Sequence, residues 1–287
     1  MPPIPSDEMS SYRYPRYGGK LLDVKGTSSR ASKLRVQRAM MRVQAVNARS
    51  ISYNFKRVFS SMGRDFEALD DVPDVLDTKE IIAKHQAWET HILEVSYGKV
   101  AEQVYPLIAD EEGLKAMEVS METKGTDTST ELYKLKIMDW IRKYCGVHIV
   151  KIDDTTLKDV QRIMEKSSST QDFKEKIAPY FKTSAPYRAD RIARTESHAA
   201  ANLSADVSVR STDVGRKTVK TWSVTHVNTR ATHLMMDGVT VGMDELFTIP
   251  KVDGGYDKMS FPGDSSHGAS AGNIVNCRCL CFYKYES

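Results

Sequence analysis

From about Ser29 the chain repeats apolar residues at helical spacing with no proline. Leu34, Met41, Val43, Val46, Ile51, Phe55, Val58 and Phe59 approximate one stripe of a segment that closes at Gly63. That spacing predicts a long amphipathic helix. The acidic stretch DFEALDDVPDVLD, with Pro73, suits a turn and the start of the next helix. Thr78 to about Ala109 then reads as a second long helix burying Ile81, Ile82, Trp88, Ile92, Leu93, Val100, Val104 and Leu107. Two long helices with a short connection predict an antiparallel pair. After a polar stretch centred on METKGTDTST, a third helix is expected from about Thr130 to Tyr144, with Leu132, Leu135, Ile137, Met138 and Ile141 inward. The apolar run Val147 to Ile152 could be extended, with Asp154 and Thr155 capping the helix TLKDVQRIMEK. Serines 167 to 169 break that helix, and Thr170 opens another short one.

The next helix carries charge on its apolar side. In YRADRIARTESHAAAN, residues Ile192, Ala199, Leu203 and Val207 fall on one stripe at about 100° per residue, and Glu196 falls on it too. A carboxylate against an apolar face is costly unless paired, so a partner segment must bring it a cation or donors. Pro186 suits the first turn, with Ser184 or Thr183 as cap, and Ala199 to Ala201 form a small-residue patch that would admit another backbone. Beyond Gly215 the period changes to two: KTVKTWSV places Val219, Thr221 and Ser223 on one face and Lys220, Trp222 and Val224 on the other. Short strands are expected around Val239 to Val241, Leu246 to Ile249 and the closing CRCLCFYKY. The fold class is therefore α+β: a helix-rich amino-terminal region with long antiparallel helices, then a small mixed α+β domain with short strands. The division expected is an arm over 1–29, a helical hairpin over 30–128 and a mixed domain over 129–287.

Charge changes this picture by position rather than amount. The 287 residues hold 41 Lys+Arg against 38 Asp+Glu, a formal net charge of +3, so affinity for nucleic acid would depend on where the cations lie. Arg13, Arg16, Lys20 and Lys25 are interleaved with tyrosines in the Pro- and Gly-rich arm, and Arg30, Lys33, Arg35, Arg38 and Arg42 follow on the first helix. Such an arm lacks a core of its own and would strap onto a protein neighbour or lie along phosphates. The one-sign helix face suits an acidic partner surface or nucleic-acid backbone, contacted without sequence preference. No apolar run approaches the length of about 20 residues that spans a bilayer, and the first residues lack a signal-peptide core, so a soluble, unexported protein is expected.

Candidate chemistry gathers near the end. Cys277, Cys279 and Cys281 with His226, His233 and His267 supply enough sulfur and nitrogen for a structural zinc, and the metal set proposed from sequence is Cys277, Cys279, Cys281 and His267. C-x-C-x-C is not the usual zinc-knuckle spacing, and no H-E-x-x-H, Walker loop, G-x-S-x-G or carboxylate cage accompanies it. Packing of a terminal strand is the other reading, and a metal-dependent hydrolase or nuclease using the His/Cys residues is the alternative from the enzyme class.

RIARTESHAAAN, KTWSVTHVNTRATHLMMDG, Pro262-Gly263-Asp264 and Asn276-Cys277-Arg278-Cys279 occur in an order and spacing that resembles the phage Mu F-like minor head protein family, over roughly residues 155 to 283. The resemblance implies a non-enzymatic virion protein of the phage head, assembled in the host cytoplasm. It implies association with the portal end, with portal or major capsid protein as partner, no membrane, and a role in DNA packaging or ejection through non-specific contact with double-stranded DNA. One segment departs from the family pattern: His226 stands where the family usually has an aspartate, and of the flanking motif only Thr229 and Arg230 match before His233, Asp237 and Gly238. Glu196, Arg230, His233 and Asp237 are then expected to form a buried polar cluster tying helix to sheet.

Overall fold

The computed structural model describes residues 29–109, 127–211, 218–225 and 228–285. In chain order these form α1 (Ser29–Glu67), α2 (Val75–Ala109), α3 (Asp127–Glu165), α4 (Thr170–Pro179), a single wide turn of π-helix (Tyr180–Ser184) and α5 (Ala185–Arg210). Then follow β1 (Thr218–Ser223), α6 (Ala231–Leu234), β2 (Thr240–Gly242), β3 (Phe247–Pro250), β4 (Tyr256–Met259), α7 (Ala271–Ile274) and β5 (Leu280–Tyr285). The architecture is α+β, with long helices first and a small antiparallel sheet region last. Arg13, Arg16, Lys20, Lys25 and His226 lie outside the described residues, and the expected cut between 128 and 129 falls inside α3.

Several sequence expectations need correction. In α1 the buried stripe runs through Val36, Met40, Asn47, Ile51, Phe55, Val58, Phe59, Met62 and Phe66, whereas Met41 is exposed. Two adjacent methionines offered two phases, and the one continuous with Phe55 and Phe59 at spacings of three and four is buried. In α3, Leu132, Leu135 and Met138 are exposed, and the buried series is Tyr133, Ile137, Ile141, Cys145, Ile149, Ile152, Thr156 and Val160. The Tyr133 hydroxyl donates to the Ala101 carbonyl at 2.9 Å, a polar anchor that apolarity alone does not reveal. Val147 to Ile152 is helical, not extended, because nothing in it breaks the turn started upstream. Asp154 and Thr155 therefore sit inside one long helix, where the Thr155 hydroxyl donates back to Lys151 O at 3.0 Å. Ser169 caps α4, accepting from Asp172 N, while Asp172 accepts from Ser168 N at 2.8 Å. Neither Thr183 nor Ser184 caps α5, since the wide turn joins α4 to α5; the Thr183 hydroxyl instead donates to Pro179 O at 2.7 Å. Pro179 and Pro186 lack the N–H groups that would close ordinary turns on either side of it.

By contacts the described chain divides into two compact units. The first comprises residues 48–96 and 140–193 and is helical. There α1 and α2 run antiparallel, with Arg57 over the Trp88 ring at 5.6 Å and His85 bonded to Asp65 at 3.2 Å. Phe66 stacks on Phe181, centroids 5.6 Å apart, and a Cβ at Gly63 would stand 2.8 Å from Phe181 Cβ. Deep inside, Glu89 is fully buried beside Asp153, which accepts from Gln86 at 2.7 Å. Burial, with Asp153 adding to it, pushes the Glu89 carboxyl well above its ordinary range. Arg188 lies close enough to act on both acids, donates to Thr156, Ile152 O and Tyr180, and sits 5.3 Å over Phe59.

The second unit comprises residues 29–47, 97–139 and 194–285 so far as they are described. Its three-stranded antiparallel sheet has the order β2–β1–β5, and β3 pairs with β4 as a hairpin. The expected alternation in β1 is present: Lys220, Trp222 and Val224 face the core, with Trp222 opposite Cys281. The β4 strand has no counterpart in the sequence reading, because YDKM lacks β-branched residues; the turn before it uses Gly254 and Gly255 at φ 94° and 79°.

Candidate metal centre and its motif network

The late part of α5 is built from small side chains. Ala199, Ala200, Ala201, Ser204 and Ala205 are all buried, and at Ala199 the backbone of Gly263 in the Pro262-Gly263-Asp264 loop comes close. Gly263 has φ 89°, and a Cβ there would meet His198 Cδ2 at 3.2 Å and Ala199 Cα at 3.4 Å. Asp264, fully buried, holds the loop by accepting from Ser260 N and Ser266 N, each at 2.8 Å.

Asn202 lies one turn on from His198. Its amide NH2 donates to Cys279 O and its carbonyl accepts from Cys281 N, both at 3.2 Å, so the side chain substitutes for a neighbouring strand. The loop before β5 is gripped from the same helix: Thr195 Oγ1 accepts from Asn276 N at 3.1 Å, and Arg194 donates to Asn276 Oδ1 at 3.2 Å. Asn276 itself adopts φ 57°, a conformation asparagine tolerates better than most residues. The RTESHAAAN and NCRC segments thus contact one another through Arg194, Thr195 and Asn202.

Between these grips lies a sulfur–nitrogen cluster. The one-turn helix α6 presents His233, packed edge-on to the Trp222 ring with centroids 5.3 Å apart. Cys277 Sγ lies 3.5 Å and Cys279 Sγ 3.4 Å from His233 Nδ1. The three ligand atoms all fall within 4.8 Å of one another, and all three residues are buried. The Cys277 thiol, and His233 after it, draw Cys279 below the ordinary thiol range, while burial pushes Cys277 up. Neighbouring His198 is held neutral, its pKa brought down to about 3 by burial and then by His233.

Glu196 is buried and accepts from the Tyr97 hydroxyl at 2.9 Å. Arg230, half-buried, donates to Val275 O, and Asp237, exposed where a buried acid was expected, accepts from Val224 N at 3.0 Å. His267 is exposed and bonds Ser260 Oγ at 3.1 Å, so His233 takes the place beside the cysteines that His267 was expected to fill. Cys281 stands outside the cluster, where Asp206, Lys220 and Tyr283 act on it and burial raises its pKa to about 12. Arg38 and Arg42 are exposed on α1 and Arg35 is half-buried; the side chains of Arg30 and Lys33 lie outside the described residues. Lys220 is not among the site residues that sequence singles out: it is fully buried, 5.7 Å over Phe247, with no hydrogen-bond partner for Nζ among the described residues. Its place on the inward phase of β1 was the available signal.

Residues 154–282 match the family model described as Phage Mu protein F like protein. That span contains each of the four motif segments, α5 and the whole sheet region up to Phe282. Neither the curated proteins nor the solved structures yield a match.

Proposed function

We propose that this chain, whose carboxy-terminal part over residues 154–282 belongs to the Phage Mu protein F like family, is a structural protein of the phage head that acts in head morphogenesis. The family match is the observation that carries the reading. The use of the motif residues supports a scaffold: Thr195, Asn202 and Asp264 are spent on holding loop and strand backbone, and Arg194 holds the Asn276 side chain. The finer role proposed is attachment at the portal end, to portal or major capsid protein, with non-specific contact to double-stranded DNA. For that contact α1 offers exposed Arg38 and Arg42, one helical turn apart, continuing the basic run of the arm. A protein partner has a second foothold in the exposed Leu135 and Met138 of α3. The hydrolase alternative is less well supported, because His233, Cys277 and Cys279 are at most 4% exposed and no carboxylate joins their group among the described residues.

Cross-linking mass spectrometry on purified virions tests the assignment: cross-links to portal or capsid protein are expected, and absence of the protein from virions would sink it. Removing residues 1–29 separates the contacts. A DNA-binding arm predicts a shallower salt dependence of DNA affinity, whereas a strap predicts unchanged DNA binding and loss of incorporation. Full retention of both would end any functional claim for the arm.

A further inference from the structure

The cluster on α6 and the segment entering β5 supports an assignment that goes beyond head assembly and does not depend on it. An imidazole nitrogen offers either one in-plane lone pair or one N–H, so it serves one thiol well. Here two sulfurs converge on the same atom, His233 Nδ1, at 3.5 and 3.4 Å. A tetrahedral zinc with Zn–S about 2.3 Å and Zn–N about 2.0–2.1 Å has S···N edges of about 3.6 Å and an S···S edge of about 3.8 Å. Both observed S···N separations are close to that edge, and the three ligand atoms lie within 4.8 Å of one another.

The surrounding chain holds the three side chains in place. Cys277 and Cys279 turn inward while Arg278 between them is exposed, as alternation along extended backbone requires. The segment is pinned on both sides: Cys277 N donates to Ile274 O and Arg230 holds Val275 O before it, and Asn202 fixes Cys279 O and Cys281 N after it. His233 Nε2 has no partner among the described residues, so nothing there competes for the tautomer that leaves Nδ1 free to ligate.

We propose that His233 Nδ1, Cys277 Sγ and Cys279 Sγ bind one zinc ion that clasps the segment before β5 to α6. Both cysteines ligate as thiolates, any proton still on either sulfur leaving to solvent, and no oxidation state changes. The role is structural, since the triad is buried and no carboxylate joins it among the described residues to serve as base.

The experiment uses the full chain purified from zinc-supplied cells under reducing conditions, with elemental analysis and zinc-edge X-ray absorption. The expected result is about one zinc per chain, with two sulfur neighbours at about 2.3 Å and nitrogen or oxygen at about 2.0–2.1 Å. Cobalt substitution should give a thiolate-to-metal absorption band, reduced in Cys279→Ser and absent in Cys277→Ser/Cys279→Ser. Cys145→Ser, a buried cysteine elsewhere, should leave it unchanged. Folded wild-type chain that takes up neither zinc nor cobalt overturns the proposal. So does a first shell without sulfur or with four sulfurs, or a band that survives in the double variant. Should the double variant fail to fold, the absorption spectrum of the wild-type chain alone decides.

Discussion

The two units bury polar groups by opposite means. In the helical unit, Glu89, Asp153, Gln86, Arg188 and Tyr180 meet chiefly other side chains, with Arg188 also reaching Ile152 O, because a continuous helix already satisfies most of its own backbone. In the sheet-bearing unit, short strands and loops leave N–H and C=O groups that side chains must complete. Asn202 serves Cys279 and Cys281, Asp264 serves Ser260 and Ser266, Asp237 serves Val224, and Asn273 donates to Pro250 O. A buried polar residue therefore specifies side-chain company in the first unit and the path of the chain in the second.

The largest effect should come from removing the cation of the helical cluster. Arg188→Ala deletes bonds to Thr156, Ile152 O and Tyr180 and strips the charge beside Glu89 and Asp153. A loss of about 3–5 kcal/mol in urea unfolding is expected; a loss below about 1 kcal/mol would show that the acids are carried without it. Next, Asn202→Ala should cost about 2–3 kcal/mol by leaving a buried donor and acceptor unmade. Its amide-exchange signature should be confined to Cys281 and adjoining β5, and uniform loss of protection across α5 would contradict strand substitution. Gly63→Ala tests packing without polarity: its Cβ would meet Phe181 Cβ at 2.8 Å, so a cost of about 1–3 kcal/mol is expected from denaturation midpoints. An unchanged midpoint would mean that the Phe66–Phe181 stack shifts freely.

The smallest effect is a slope. Because the folded-state pKa of Glu89 is raised, its contribution to stability is fully present below its unfolded pKa and lost as pH rises through the folded value. One such proton gives at most about 1.4 kcal/mol per pH unit. Glu89→Gln should flatten this decline and gain on the wild type as pH rises. A wild-type slope retained in the variant would assign it to another group.

What sequence could reveal follows the same division. Period and breakers located α1, α2, α4 and β1, and four motif segments located the framework of the second unit, since they hold backbone-completing residues such as Thr195, Asn202 and Asp264. Phase was harder. Met40 against Met41, and Tyr133 against Leu132 and Leu135, differ by one position in a stripe, and only tertiary packing chooses. The apolar run at Val147–Ile152 fits strand or helix equally well until Cys145, Ile149 and Ile152 are seen to share a buried face. His233 rather than His267 reaches the cysteines because one turn of helix, α6, places it there, a three-dimensional fact that spacing does not encode.

The wide turn at Tyr180–Ser184 makes this chain sensitive to length where it is tolerant of chemistry. One residue more or fewer in a helix turns everything beyond it by about 100°. The face on which Ala185, Arg188, Ala189 and Ala193 are buried is therefore set by how many residues occupy that turn. Exposed Lys182 could be exchanged for many residues at little cost, yet its deletion would swing Arg188 away from Thr156 and Tyr180. Among variants in an insertion–deletion scan, the frame of this helix should tolerate whole turns and reject single residues.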